Sequence, residues 1–188
     1  MKIPHRASTL LLFFFGLMTN LALAAEDPIP TRFSLAASFG KTYSPNNDID
    51  FVLATGAALF DYDRVWPHRA PESLRFKVEG SIGMTTAPRH RALVSVNMLA
   101  LYFVDGLETH LLRPYVEAGI GLIYTDFQVD GQGLRLNFNP QAGLGMEIKS
   151  EDGPPWYAAI RLHHISNGEL HDDNDGINAA VLQVGRFF

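Results

Sequence analysis

Apolar side chains alternate with small or polar side chains along most of this chain, with a period of two residues. The segment after residue 72 shows the alternation most clearly. One face of it has Leu74, Phe76, Val78, Gly80, Ile82 and Met84, and the other has Ser73, Arg75, Lys77, Glu79 and Ser81. Because successive side chains of a strand point to opposite faces of a sheet, this period predicts β-strands with one apolar and one polar face.

The same pattern recurs in eight segments, which clusters of Pro, Asn, Asp and Gly separate. We predict strands near residues 31–43, 49–63, 73–87, 90–104, 110–125, 133–149, 155–167 and 177–188. An even number of such strands, apolar on one face and charged on the other, predicts an all-β fold, an eight-stranded antiparallel up-and-down transmembrane β-barrel. A soluble lipocalin-like barrel would have an apolar interior instead.

Aromatic residues and the two chain ends agree with a membrane barrel. Girdle residues are expected near strand ends, at Tyr43, Tyr62, Trp66, Tyr102, Tyr115, Tyr124, Trp156 and Tyr157.

Residues 1–24 have a basic start, an apolar run at 10–18 and a small-residue cleavage site at 22–24, which predicts a signal peptide and a barrel domain over 25–188. A signal anchor is the alternative, but the apolar run is shorter than the roughly 20 residues of a membrane helix. The final strand closes on Phe188 and resembles the C-terminal strand of bacterial outer-membrane proteins.

Composition excludes several functional classes. The chain contains no cysteine, so neither a disulfide framework nor a thiolate metal site is available to it. Its net charge is −5, and no basic run is present that would follow a phosphate backbone. Nucleic acid is therefore not an expected partner, although Arg89, His90 and Arg91 in a predicted outer turn could either contact the phosphates of membrane lipids or be solvated.

The segment 161–178 contains the candidate chemistry. On a strand, His164 and Ser166 share one face, while His163 and Ile165 share the other. A serine hydroxyl becomes a good nucleophile when a base removes its proton, and a neighbouring imidazole can be that base. The spacing alone is equally compatible with a His and a Ser that lie on one strand face without any catalytic role. We expect no metal, because His163, His164 and His171 lack a ligand set at zincin-like spacing.

Residues 164–168, His-Ile-Ser-Asn-Gly, followed by 174–178, Asn-Asp-Gly-Ile-Asn, resemble the signature of the PagL family of outer-membrane lipid A 3-O-deacylases. The resemblance implies that Ser166 is the nucleophile and His164 the general base. It implies that Asn167 donates to the oxyanion, and that Asn174 holds the loop or shares in the oxyanion hole. Gly168 and Gly176 relax the backbone around them, or are ordinary turn glycines.

One position departs from the family pattern. The best-known member has a glutamate as third triad residue where this chain has Asn178. An amide oxygen can orient the imidazole but cannot stabilise its charged form. Whether Asn178 supports full activity, or Asp172, Asp173 or Asp175 substitutes for the acid, is left open.

The resemblance implies a serine esterase that removes the 3-O-linked acyl chain of lipid A and needs no cofactor. Its substrate would be lipopolysaccharide, its surroundings outer-membrane lipids, and its active site would face the outer leaflet of the bacterial outer membrane. A homodimer, the acyl-chain preference and latency in the native membrane are left open. The alternatives are a non-catalytic structural or adhesion barrel, which Asn178 favours, and a soluble periplasmic β-protein.

Overall fold

The computed structural model describes residues 29–188, so the predicted signal peptide over 1–24 lies outside the described residues. The elements in chain order are β1 (Arg32–Ser44), β2 (Asp50–Asp61), α1 (Tyr62–Val65), β3 (Leu74–Ala87), β4 (Ala92–Phe103), a 3-10 turn (Asp105–Leu107), β5 (Leu112–Thr125), β6 (Leu136–Phe138), β7 (Gln141–Ile148), β8 (Trp156–Ile165) and β9 (Ile177–Phe187). Every strand pairing is antiparallel, and β1 pairs with β9, which closes the sheet. The chain therefore forms the predicted closed, eight-stranded antiparallel β-barrel.

The sixth barrel strand is divided into β6 and β7, which the sequence predicted as one strand over 133–149. Both parts pair with β5 in one continuous register, Phe138 opposite Leu122 and Gln141 opposite Gly119. Pro140 interrupts the strand because proline has no backbone N–H for the ladder. The carbonyl of Pro140 still accepts a hydrogen bond from the His164 N–H at 2.9 Å, which keeps β8 beside it.

Charged side chains fill the middle of the barrel lumen, as the alternating pattern predicted. Arg161 contacts Glu79 at 2.6 Å and Glu117 at 2.5 Å, and Lys77 pairs with Glu117. Two apolar clusters close the lumen on either side of this layer, one around Ile165 and Ile177 and the other around Phe103 and Phe187. The lumen is therefore packed, as expected for a narrow barrel.

The exterior wall is largely apolar, with aromatic side chains near its ends. Tyr43, Tyr102, Tyr124 and Trp156 are exposed there, as predicted for girdle residues. Tyr115 and Tyr157 were wrongly predicted, because their strand positions point them into the lumen, where they are buried. Tyr62 and Trp66 lie at the short helix α1 instead of on a strand. Within residues 29–188, no helix is both long and apolar enough to cross a membrane.

The up-and-down order places the loops at two ends. One end, called the loop end here, has the connections 45–49, 88–91, 126–135 and 166–176. The other end has the connections 62–73, 104–111 and 149–155, together with the start of β1 and the end of β9. The candidate residues of 164–178 therefore lie at the loop end.

Candidate active site on the exterior wall

Strand β8 sends its side chains alternately into the lumen and to the exterior wall. His163 and Ile165 are buried in the lumen, while His164 is exposed and Ser166, one residue beyond the strand, is partly exposed. Ile165 packs into the apolar cluster at the loop end of the lumen. Because Ile165 is anchored inside, its two neighbours are fixed on the exterior, so the predicted shared face of His164 and Ser166 is present.

His164 lies opposite Asn178 in the pairing of β8 with β9. The Nδ1 atom of His164 is 2.7 Å from the Oδ1 atom of Asn178. An amide oxygen only accepts hydrogen bonds, so Nδ1 is protonated and donates a hydrogen bond to Asn178. The Nε2 atom then has its lone pair available on the same ring, which is the tautomer that a general base requires.

Gly176 makes room for this imidazole. Its φ is +73°, and a Cβ atom built on it would lie 2.9 Å from Cε1 of His164. A side chain at position 176 would therefore strain the backbone and also displace the ring. The glycine that the sequence left as either a turn residue or a site residue is in contact with the site.

Of the three candidate carboxylates, Asp172 is exposed, and Asp173 and Asp175 have other neighbours. Asp173 is 3.9 Å from Nδ1 of His171, and Asp175 lies against Gly131. No carboxylate within the described part of the chain pairs with His164. Asn178 is therefore the side chain that orients this imidazole in the structure.

Asn167 and Asn174 hold the loop 166–176 together. Asn167 is 1% exposed; its backbone N–H donates to Oδ1 of Asn174 at 2.7 Å, and its Nδ2 donates to the carbonyl of Asp173 at 2.7 Å. Its own Oδ1 accepts from the N–H of His171 at 3.4 Å. The Asn167 side chain thus points into the loop. Asn174 uses its side-chain oxygen to accept the hydrogen bond from the Asn167 N–H, so its amide nitrogen can still donate one.

The backbone directly after the serine turns through two left-handed residues. Gly168 has a φ of 61° and Glu169 has a φ of 63°. Among residues 29–188, neither of their backbone N–H groups donates a hydrogen bond. Two adjacent unpaired N–H groups of this kind are suited to bind an anionic oxygen.

A second loop, residues 131–133, supports the loop 166–176. The Gly133 N–H donates to the carbonyl of Asp173 at 2.9 Å, and the Asp175 N–H donates to the carbonyl of Gly131 at 2.9 Å. A Cβ atom on either glycine would collide, with Asp175 or with His171. In the sequence, Asp130 and Gly131 belong to one of the clusters that separate the predicted strands, and nothing in such a cluster indicates which distant loop it will contact.

The exterior wall below His164 forms an apolar groove of about 930 Å³. Its lining includes Leu162, which is one pleat from His164, and the small side chains of Ala100, Ala118 and Ala142 on the neighbouring strands. No group of three or more His, Cys, Asp or Glu residues that could hold a metal ion is found in the described range 29–188. An imidazole and a hydroxyl on the exterior wall, one pleat from an apolar groove, are suited to hydrolysis of a lipid ester.

Comparison with known proteins agrees with this architecture. The sequence model of the family described as lipid A 3-O-deacylase (PagL) matches residues 54–186. The crystal structure of the outer-membrane enzyme PagL has 21% sequence identity and a TM-score of 0.59, and the match covers 81% of this chain and 97% of that one. The crystal structure of Neisserial surface protein A has 15% identity and a TM-score of 0.62, and covers 84% of this chain and 95% of that one.

No curated protein sequence matches the chain. The two structural likenesses establish the fold, an outer-membrane type of β-barrel. The match to the family model spans most of the barrel, from β2 to the last strand, and it includes the segment that holds His164, Ser166 and Asn178. The chain belongs to the lipid A 3-O-deacylase (PagL) family.

Proposed function

We propose that this protein is a serine esterase that hydrolyses the 3-O-linked acyl chain of lipid A. The observation that supports this most is the contact of 2.7 Å between His164 Nδ1 and Asn178 Oδ1. That contact sets the imidazole in the tautomer whose Nε2 accepts a proton, beside a serine on the same exterior face.

In the proposed reaction, His164 Nε2 takes the proton of the Ser166 hydroxyl as Oγ attacks the ester carbonyl carbon. The carbonyl oxygen becomes an oxyanion. The bond from the carbon to the sugar O3 then breaks, and the imidazolium gives its proton to that oxygen. Water, activated by the same imidazole, hydrolyses the acyl-serine and releases a 3-hydroxy fatty acid.

The oxyanion donors in this proposal are the backbone N–H groups of Gly168 and Glu169 and the side-chain amide of Asn174. The two N–H groups are unpaired within the described residues, and the Asn174 amide is oriented by the bond that its oxygen accepts. Donors fixed before the reaction stabilise a developing charge without reorganisation. Asn167, which the sequence predicted as the donor, contributes here by holding the loop.

The proposed substrate fits the surroundings of the site. His164 and Ser166 face the exterior wall, and the apolar groove extends from Leu162. Acyl chains in a bilayer surround the wall of a membrane barrel, so a lipid ester would reach the serine without leaving the membrane. We place the loop end at the outer leaflet, where lipopolysaccharide resides, and the start of β1 and the end of β9 at the periplasmic side.

Mass spectrometry of lipid A tests this proposal. Lipid A from cells that express the wild-type protein should lose one 3-hydroxyacyl chain, and lipid A from cells that express Ser166→Ala should keep it. Equal folding of both proteins is checked by heat-modifiable migration on a gel. Loss of the chain in both strains, or in neither, would contradict the assignment.

A non-catalytic structural or adhesion barrel is the second candidate, and the amide at Asn178 is the feature that favours it. Such a protein would leave lipid A unchanged while still folding into the outer membrane. The same mass spectrum therefore separates the two candidates.

A further inference from the structure

Lys41 and Asp50 are unusual because they are charged side chains on the lipid-facing wall of the barrel. Lys41 lies on β1 between the exposed side chains of Phe39 and Tyr43, and it is directly opposite Asp50 on β2. Its Nζ atom is 2.8 Å from Oδ1 of Asp50, and half of the lysine side chain is exposed. A charge on this face destabilises a membrane barrel at the bilayer centre but costs little at the headgroup level.

These two residues are close to the proposed active site. Lys41 is opposite Ala180 of β9, and Asn178, the partner of His164, is two residues away on that strand. Only β9 separates β1 from β8, and His164 is two residues along β8 from the residue level with Lys41, so the two backbones are roughly 12 Å apart. Few side chains on the exterior faces of the described strands are charged or carry an imidazole. Toward the loop end they are Lys41, Asp50 and His164, and near the opposite end the charged one is Arg186.

The space between Lys41 and His164 is open. Ala180 is the exterior residue of β9 between Lys41 and Leu162, and its methyl group leaves a shallow surface there. The flexible stem of a lysine lies along apolar surface while its ammonium group stays at the polar interface. The ammonium is therefore able to reach an anionic headgroup whose ester lies over Ser166.

We infer that Lys41 is a specificity-determining residue that binds a phosphate of the lipid A headgroup and thereby sets the sugar ester over Ser166. This inference rests on the proposed function. Asp50 competes with the phosphate for the ammonium group and holds Lys41 in place when no substrate is bound. Lipid A in the outer leaflet is the occupant, because a phosphate attached to acyl chains presents both the anion for Lys41 and the apolar part for the groove.

Lipid retention by inactive protein tests the inference without turnover. Ser166→Ala protein in detergent is mixed with phosphorylated lipid A, or with the same lipid A after phosphatase treatment, and bound lipid is counted by native mass spectrometry. Adding Lys41→Gln should lower retention of the phosphorylated lipid by about fivefold to tenfold. Adding Asp50→Asn should raise it, and Arg186→Gln is the matched control that should leave it unchanged.

Neither Lys41→Gln nor Asp50→Asn should alter retention of the dephosphorylated lipid. A merely structural ion pair would make the two substitutions act in the same direction, since each breaks the pair, and that result would overturn the inference. Unchanged retention in Lys41→Gln protein that still shows heat-modifiable migration would overturn it as well. Failure of the proposed function would be seen separately, as wild-type protein that does not deacylate lipid A.

Discussion

Asn178 is the residue at which this chain differs from a triad of serine, histidine and acid. Its oxygen accepts the Nδ1 proton of His164 at 2.7 Å, so the position of a third triad member is filled. An amide has no charge, however, so in the proposed reaction it stabilises the imidazolium less than a carboxylate would. The structure therefore contains the contact that orients the imidazole, without the charge that a carboxylate would add.

Changing Asn178 separates these two contributions. Asn178→Glu should raise kcat about tenfold, because a carboxylate stabilises the imidazolium, whereas Asn178→Leu should lower kcat by about a hundredfold, because the ring loses its acceptor. Fatty acid release from lipid A by purified protein measures both. Full activity in Asn178→Leu protein would mean that Asn178 does not orient His164.

At the scale of elements, the site depends on two loops that the sequence does not relate to one another. The ends of β8 and β9 present His164 and Asn178, while the loop 166–176 presents the N–H groups of Gly168 and Glu169. Asn167 fastens this loop from within, and residues 131–133 support it from the side. The position of the proposed oxyanion donors therefore depends on the order of this loop.

Asn167→Ala tests whether Asn167 holds the loop or donates to the oxyanion. We expect faster limited proteolysis within residues 166–176 as well as a lower kcat, because the bonds to Asp173 and His171 are lost. Asn47→Ala, in the exposed loop between β1 and β2, is the control and should change neither quantity. A lower kcat with unchanged proteolysis would instead support the role that the sequence predicted for Asn167.

The sequence predicted the strands and the shared face of His164 and Ser166 because both follow from a period of two, which is a local property. It could not predict that the Asn167 side chain turns into the loop, since that depends on the left-handed backbone at Gly168 and Glu169. The prediction that Tyr115 and Tyr157 belong to the girdle was wrong because it considered only that they are near strand ends. The alternation of side chains along each strand points both of them into the lumen. The support from residues 131–133 depends on a contact between distant loops.

At the scale of the whole molecule, the exterior site is supported by a barrel whose lumen is filled. Arg161 connects Glu79 and Glu117 across the barrel, in the layer between the two apolar clusters. Arg161, His163 and Ile165 all point inward from β8, the strand that presents His164 outward. Packing in the lumen therefore holds β8 in place, and with it the side chain of His164 on the exterior.

Arg161→Met should destabilise the barrel by about 3–5 kcal/mol, because the buried Glu79 and Glu117 would have only Lys77 to balance their two charges. The free energy of unfolding in denaturant, followed by the mobility shift of the folded barrel on a gel, measures the change. Arg186→Met removes an exposed arginine near the opposite end and should have a much smaller effect. Equal stability of the two variants would show that the lumen network does not hold the barrel together.

The proposed function requires that Ser166, activated by His164, hydrolyses an ester of lipid A. The most direct test is the rate at which folded, purified protein releases 3-hydroxy fatty acid from lipid A in detergent. We predict steady release of one such chain per lipid A by the wild-type protein, and a rate at least about a hundredfold lower for Ser166→Ala and for His164→Ala. Release at the wild-type rate by either variant, or no release by the wild-type protein, would contradict the claim.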